Sequence, residues 1–255
     1  MIRVAAVGDI HLGPDVAGQY RERLTGLADH ADVLLVAGDL TRHGTLEEGR
    51  IVADELRDAP VPVIAVLGNH DYHSEAENEI TEMLGEAGVT VLHSGGTMID
   101  CGGVRLGVAG CKGFGGGFAG SSGDEFGERE MKAFIRHTRE LSDGLYESLA
   151  ALDDQGADLK VALTHYSPVK DTLTGEPLEI YPFLGSYLLA EAIDRAGADL
   201  AVHGHAHMGS EKGVTPNGVR VRNVALPVIK QAYAVYGLEK RDSSRPPAEA
   251  GRSAR

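Results

Sequence analysis

The sequence predicts an α/β protein in which two facing β-sheets are covered by helices on their outer sides. Three observations predict it. Short β-branched runs alternate with helical stretches along the chain, the pattern of a layered α/β fold. The composition, 42% hydrophobic and 24% charged over 255 residues, is that of a soluble globular protein. His, Asp and Asn recur at the carboxyl ends of the apolar runs, the edge at which successive loops of an α/β sheet converge.

The elements follow in order. Met1–Ile10 has one Arg and a short apolar run that meets Asp9, without a small-residue cleavage site. It therefore reads as a strand, Ile2–Val7, and not as a secretory leader. A helix is expected over Gly18–Ala28, then a strand at Val33–Ala37, a helix at Leu46–Asp58, a strand at Val61–Leu67 and a helix at Ser74–Ala87. Val89–Leu92, Thr97–Asp100 and Arg105–Ala109 are short strands. Glu128–Leu152 is a long helix with Phe134, Leu141, Leu145, Leu149 and Leu152 on one face, and Gly144 is the point at which it would break. Strands at Lys160–Leu163 and Leu200–Val202 flank a helix at Ser186–Arg195, and Val219–Val224 and Tyr233–Tyr236 complete the set. Residues 1–240 read as one domain without internal repeats. The tail from Arg241, with Pro-Pro and no apolar period, is expected to be disordered.

Composition excludes several functions. Asp and Glu number 38 against 24 Lys and Arg, a net charge of −14, and no basic cluster stands out. Such a chain is a poor non-specific ligand for nucleic acid or an anionic membrane. It is still compatible with phosphate chemistry if metal ions supply positive charge. Trp is absent and aromatics are 5%, which argues against stacking platforms for bases or sugars. Apolar runs such as Val33–Ala37 are far too short to cross a membrane. Cys101 and Cys111 form neither a CxxC nor a disulfide framework and read as small core residues, with the cytoplasm as the expected location.

The strand-end residues fall into five clusters. Asp9 and His11 lie two apart on one side of an extended segment. Gly38-Asp39 ends the second strand, and Gly68-Asn69-His70-Asp71 repeats that layout with an amide, an imidazole and a carboxylate. His165 ends a later strand, and His203-Gly204-His205-Ala206-His207 closes the series. Oxygen donors mixed with imidazole and lacking thiolate suit Mn, Fe, Zn or Co, and argue against a structural zinc.

In this order the clusters Asp9-x-His11, Gly38-Asp39, Gly68-Asn69-His70-Asp71, His165 and Gly204-His205-x-His207 resemble the signature of the calcineurin-like metallophosphoesterase superfamily. The resemblance spans residues 9–207 and misses no block. It implies a four-layer α-β-β-α sandwich of two mixed sheets flanked by helices, with a two-metal centre at one sheet edge. Asp9, His11, Asp39 and His207 would hold the first metal. Asp39 would bridge to the second, completed by Asn69, His165 and His205. His70 would face the substrate phosphate, and Asp71 would orient the His70 ring. The cofactors implied are two divalent or mixed-valence transition-metal ions. Two metals about 3.5–4 Å apart can clamp an in-line displacement and bring a bridging water's pKa toward about 7, so that hydroxide attacks without a protein nucleophile. The expected substrate is a small phosphorylated molecule, a phosphodiester before a phosphomonoester or a nucleic acid. A binding module of the same fold should have lost ligands, whereas this chain keeps them all.

Other residues carry weaker signals. Arg42 and His43 follow Asp39 on its loop and are candidates to touch phosphate, as are His73 and Lys170. His203 reads either as a support for the ligands or as a core residue. His30, His93 and His137 have no ligand company. Gly115-x-Gly117-x-x-Gly120 matches a dinucleotide fingerprint only formally, because no helix starts within it. Gly113–Gly123 instead reads as a flexible loop over the site, and Thr41–Thr45 and Tyr166–Gly185 as loops that shape substrate choice. Nothing in the sequence sets the oligomeric state.

Overall fold

The structure, a computed structural model, describes residues 1–240. The expected disorder of the tail from Arg241 lies outside the described residues. Strand β1 (Ile2–Val7) leads through a 3-10 turn at Pro14–Val16 into helices α1 (Gln19–Arg23) and α2 (Leu27–His30). The sequence suggests a single helix here. Gly26 between the two takes a left-handed φ of 78°, which a continuous α-helix does not contain. Next come β2 (Val33–Ala37), α3 (Leu46–Leu56), β3 (Val63–Val66), α4 (Glu77–Glu86) and β4 (Val89–Val91). Helix α3 starts from a capping box: Thr45 Oγ1 accepts from the Glu48 backbone N–H while the Glu48 side chain accepts from that of Thr45. Glu48 also accepts from the His43 N–H at 2.7 Å, so the cap fixes the loop that follows Asp39.

The chain then crosses to a second sheet through the hairpin β5 (Gly96–Cys101) and β6 (Val104–Cys111). A two-residue hairpin, β7 (Gly117–Phe118) and β8 (Ser121–Ser122), precedes α5 (Arg129–Asp154). Gly144 does not interrupt α5, because Leu145, Leu149 and Leu152 are buried along one face and hold the helix through it. Strand β9 (Leu159–Thr164) follows, then 3-10 turns at Lys170–Leu173 and Leu178–Ile180, α6 (Tyr181–Leu184) and α7 (Tyr187–Ala196). The last elements are β10 (Leu200–His203), β11 (Lys212–Val214), β12 (Arg220–Asn223), α8 (Leu226–Ile229) and β13 (Ala234–Leu238).

The strands form two large mixed sheets, ordered β13-β1-β2-β3-β4 and β11-β12-β10-β9-β6-β5. Three apolar layers separate the four layers of elements. In β1 and β2, Val4, Ala6, Val33, Leu35 and Ala37 point between the sheets, and Ala5, Val7, Leu34 and Val36 point toward the helices outside. Leu106, Val108, Val161, Leu163 and Val202 meet the first set from the second sheet. Ala109, Ala162 and Ala201 face the other way, onto Leu145 and Leu149 of α5 and Ile193 of α7. This is the four-layer α-β-β-α sandwich, and strands apolar on both faces are what a doubly covered sheet requires.

The expected free loop at Gly113–Gly123 is instead tied down. The Gly116 and Gly117 N–H groups donate to Pro182 O at 2.7 Å and Gly185 O at 2.9 Å, and β7 pairs with β8. No helix begins inside it, in keeping with the rejection of a dinucleotide site.

Because Leu35 is fully buried between the sheets, Leu35→Ala should lower unfolding stability by about 3 kcal/mol. Denaturant titration should show a lower midpoint at an unchanged slope.

Candidate metal centre

Strands β1, β2 and β3 run parallel, as do β6, β9 and β10, so their carboxyl ends reach one edge of each sheet. The two edges are sewn together. Gly8 N donates to Val224 O at 2.9 Å, His165 Nδ1 bonds Ala37 O at 2.9 Å, and the His205 N–H donates to the Asp9 carboxylate. At this seam the donor atoms of Asp9, His11, Asp39 and His207 form one group and those of Asp39, His165 and His205 a second, each within 4.8 Å. Asp39 belongs to both.

Individual contacts define the geometry. Asp9 Oδ1 lies 2.8 Å from His207 Nε2, and both Asp9 oxygens accept from the His205 N–H. Asp39 Oδ1 accepts from the His70 N–H at 2.9 Å and lies 3.4 Å from His165 Nε2, and Asp39 Oδ2 lies 3.8 Å from His11 Nε2. Asn69 Oδ1 is 2.9 Å from His165 Nε2, which places it beside the second group. His70 Nδ1 bonds Arg42 O at 2.7 Å and its Nε2 faces Asp39 Oδ2 at 3.9 Å, so the ring edge turned to the site is Nε2.

Two glycines of the motifs are required by close approach. A Cβ on Gly68 would overlap the Asp39 carboxylate and backbone nitrogen, and one on Gly204 would overlap Asp9 Oδ2. The backbone is strained at the same place. Of seven described non-glycine residues with positive φ, four are Asp9 (57°), His11 (43°), Asp39 (51°) and His205 (69°). Each costs about 1–3 kcal/mol and persists only where the surroundings over-determine it.

The electrostatics suit a bound cation. Burial pushes Asp9 up to about 6, with the neighbouring Asp39 adding to the shift and His207 opposing it. Among the described residues, no Lys or Arg pairs with Asp9 or Asp39, which are 2% and 1% exposed. Their partners are imidazoles and backbone N–H groups. Burial in turn holds His11 and His165 below the ordinary imidazole range and takes His205 down to about 3, so these rings present neutral nitrogens. Two buried carboxylates with no protein cation, faced by neutral imidazoles, fit a first-row metal pair.

The structure corrects the role expected of Asp71. It does not touch the His70 ring, which is held by the Arg42 carbonyl. Fully buried, Asp71 accepts from the N–H groups of Leu40, Thr41 and Gly68 and from Thr41 Oγ1, and so ties the loop after β2 to the loop after β3. Burial pushes it up to about 6, helped by Asp39. His203 lies outside both donor groups. Its Nδ1 bonds Gly204 O and its Nε2 bonds Thr172 Oγ1, bracing the loop that carries His205 and His207.

Arg42, His43, Asn69, His70 and His73 line a cleft of about 130 Å³. The Arg42 guanidinium pairs with Asp15 at 2.9 Å and His43 with Glu48 at 3.1 Å. Lys170 is exposed on a 3-10 turn and lines another cavity with Tyr187 and Pro216. The sequence reading overlooked Tyr166, whose ring packs on His205 at 4.3 Å, and Phe183, whose carbonyl lies 3.3 Å from His205 Nε2. It also overlooked Lys112, directly after β6; position at a strand end was the one signal for it.

The profile of the calcineurin-like phosphoesterases matches residues 2–209. The chain belongs to that family. This calcineurin-like phosphoesterase shares its fold with several solved structures. Phosphopantetheinyl hydrolase from Mycobacterium tuberculosis aligns over 96% of this chain and 98% of its own, with a TM-score of 0.58 and 17% identity. GAP50, the anchor in the inner membrane complex of Plasmodium, aligns over 89% and 72%, with a TM-score of 0.54 and 12% identity. A putative 5′-nucleotidase from Staphylococcus aureus reaches 0.54 at 16% identity, and this chain spans 48% of it. At these identities the likeness concerns the fold. No curated protein matches the sequence. Among the described residues, no helix of this phosphoesterase is long and apolar enough to cross a membrane.

The pKa shifts give the metal-free protein a defined pH dependence. His11, His165, His203 (about 4) and His205 are depressed by burial, whereas in the unfolded chain each takes up a proton near 6.5. Below about 6.5 the unfolded state therefore binds more protons through them, and stability falls with acidification. Asp9 and Asp71 oppose this between about 4 and 6, because there the folded state holds the extra protons. His207, raised chiefly by its bond to Asp9, adds stability that is lost as pH rises above about 6.5. The imidazoles outnumber the carboxylates, so denaturant titrations in chelator should show stability falling from pH 6.5 to 5. His203→Gln should flatten that slope by about 1.4 kcal/mol per pH unit.

Proposed function

We propose that the protein is a two-metal phosphoesterase that hydrolyses a small phosphorylated molecule, with a phosphodiester as its substrate class. One observation carries the reading: two donor groups share the buried Asp39, and among the described residues no Lys or Arg forms an ion pair with its carboxylate or with that of Asp9. Asp9, His11, Asp39 and His207 would hold one ion, and Asp39, Asn69, His165 and His205 the other. Mn, Fe, Zn and Co all suit this donor set. When bound, the two cations supply the countercharge for the phosphoryl group and acidify water for attack.

The protein's own groups do the rest. The bond from His70 Nδ1 to the Arg42 carbonyl fixes the ring and leaves Nε2 free to give a proton to the departing oxygen or to hydrogen-bond the phosphate. Asp71 supports this from a distance, since the loops it joins carry Asp39, Arg42 and His70. The net charge of −14 supports a small substrate over a nucleic acid, which would need a basic groove.

The test is turnover of bis-p-nitrophenyl phosphate against p-nitrophenyl phosphate after reconstitution with Mn, with metal content measured on the same sample. About two metals per chain and a preference for the diester are expected. Preference for the monoester would overturn the diester assignment, and a chain that takes up no metal would overturn the phosphoesterase reading. Asp39→Ala should lose both metals and turnover together. His70→Ala should keep the metals and lose about 100-fold or more in kcat, and loss of metal in that variant would make His70 a ligand.

A further inference from the structure

We infer that Lys112 is a specificity-determining residue whose ammonium receives an anionic oxygen of the substrate's phosphate group. The inference rests on the phosphoesterase reading and concerns a residue for which that reading has no use.

Lys112 directly follows β6, at the edge of the second sheet where β9 and β10 deliver His165 and His205. Its backbone oxygen accepts from the N–H groups of both His165 and Tyr166 at 3.0 Å, so its position is locked to that of a proposed ligand. Its Nζ stands over three rings, 5.1 Å from the centre of Tyr72, 4.8 Å from Phe114 and 5.2 Å from Tyr166. Tyr72 follows Asp71 in the chain, and Tyr166 follows His165 and packs on His205. Phe114 is braced by Phe134 and His137 at 4.9 Å. The cage is therefore built on the strand ends that make the metal centre, and Asp39 and His165 both feel the charge of Lys112.

Among the described residues Lys112 Nζ makes no hydrogen bond and no ion pair, whereas the ammoniums of Lys160 and Lys240 reach Asp153 and Asp158. Nor is Lys112 Nζ sealed in, since among the described residues the one fully buried side-chain polar atom without a partner is Glu77 Oε2. The faces of three rings attract a cation and restrict its motion without neutralising it. Half-buried and unpaired among the described residues, this charge sits beside the site that the proposed function assigns to phosphate esters. An anionic oxygen supplies an acceptor for one of the three N–H donors, and the reduced solvation strengthens the contact.

The test uses the full chain loaded with Mn and inorganic phosphate as the probe. Phosphate should protect Lys112 of the wild-type protein from reductive methylation, read by peptide mass spectrometry, and leave the exposed Lys170 unprotected. Lys112→Met keeps an unbranched stem in the cage, and should weaken phosphate binding by calorimetry about 10- to 100-fold while Mn content stays unchanged. Lys112→Arg should recover most of that loss. With bis-p-nitrophenyl phosphate the effect should fall on KM before kcat. Equal modification of Lys112 with and without phosphate, or undiminished phosphate binding by Lys112→Met, would overturn the inference and leave the phosphoesterase reading standing. The protection experiment decides the matter even if Lys112→Met fails to fold. Failure of the wild-type protein to take up Mn would instead strike at the reading beneath it.

Discussion

Everything at the working edge of this protein depends on burying Asp9 and Asp39 side by side. Two carboxylates taken out of water cost several kcal/mol each unless a counterion accompanies them, and here the protein offers imidazoles and N–H groups in place of Lys or Arg. The consequence appears in Asp9, which is pushed up to about 6 by burial. Burial pushes His11, His165 and His205 the opposite way, whereas the bond to Asp9 raises His207. A divalent cation would answer both effects, since it neutralises a desolvated carboxylate such as Asp9 and takes the lone pair of an imidazole that burial keeps neutral.

That preference has a structural cost, and the fold concentrates it. The left-handed backbone at Asp9, His11, Asp39 and His205 lies within a few residues of the strand ends. The adjoining glycines at 68 and 204 exist so that the carboxylates can pass within contact of the neighbouring chain. The sandwich beneath is rigid for a reason independent of chemistry. Both sheets are apolar on both faces, so neither can slide by a residue without turning a row of Val and Leu to the wrong layer. Strain at the edge is thus held by packing in the middle.

This division explains what was legible in the sequence. The strands and their ends were legible because a doubly covered strand is a continuous apolar run, and a ligand after it breaks that run abruptly. The five clusters named the residues that the structure gathers at the seam, since their order follows the parallel strands. The break between α1 and α2 was not legible, because Gly26 is tolerated in a helix by propensity and excluded only by the φ it adopts. The packed hairpin in 113–123 was hidden by its glycines, which read as freedom although Gly115 is confined against Pro182 and Gly123 against Ile135. The true partner of Asp71 depends on where the loop after β2 passes, and the capping box of α3 sets that. The cage around Lys112 draws its rings from three separate loops, so no local pattern announces it.

The acidic surface and the cation-seeking site are then compatible. A net charge of −14 spread over the surface acts on an incoming anion through water and salt, where it fades beyond about 8–10 Å. The charges at the seam act through a medium that screens them far less. On the proposed function, a small phosphate ester would feel the general repulsion only until it reached the edge, where bound cations and the Lys112 ammonium would dominate. A long polyanion has no such escape, because its remaining phosphates stay against the acidic surface. On the function proposed above, the charge distribution that suits Asp9 and Asp39 to metal would also select substrates by size.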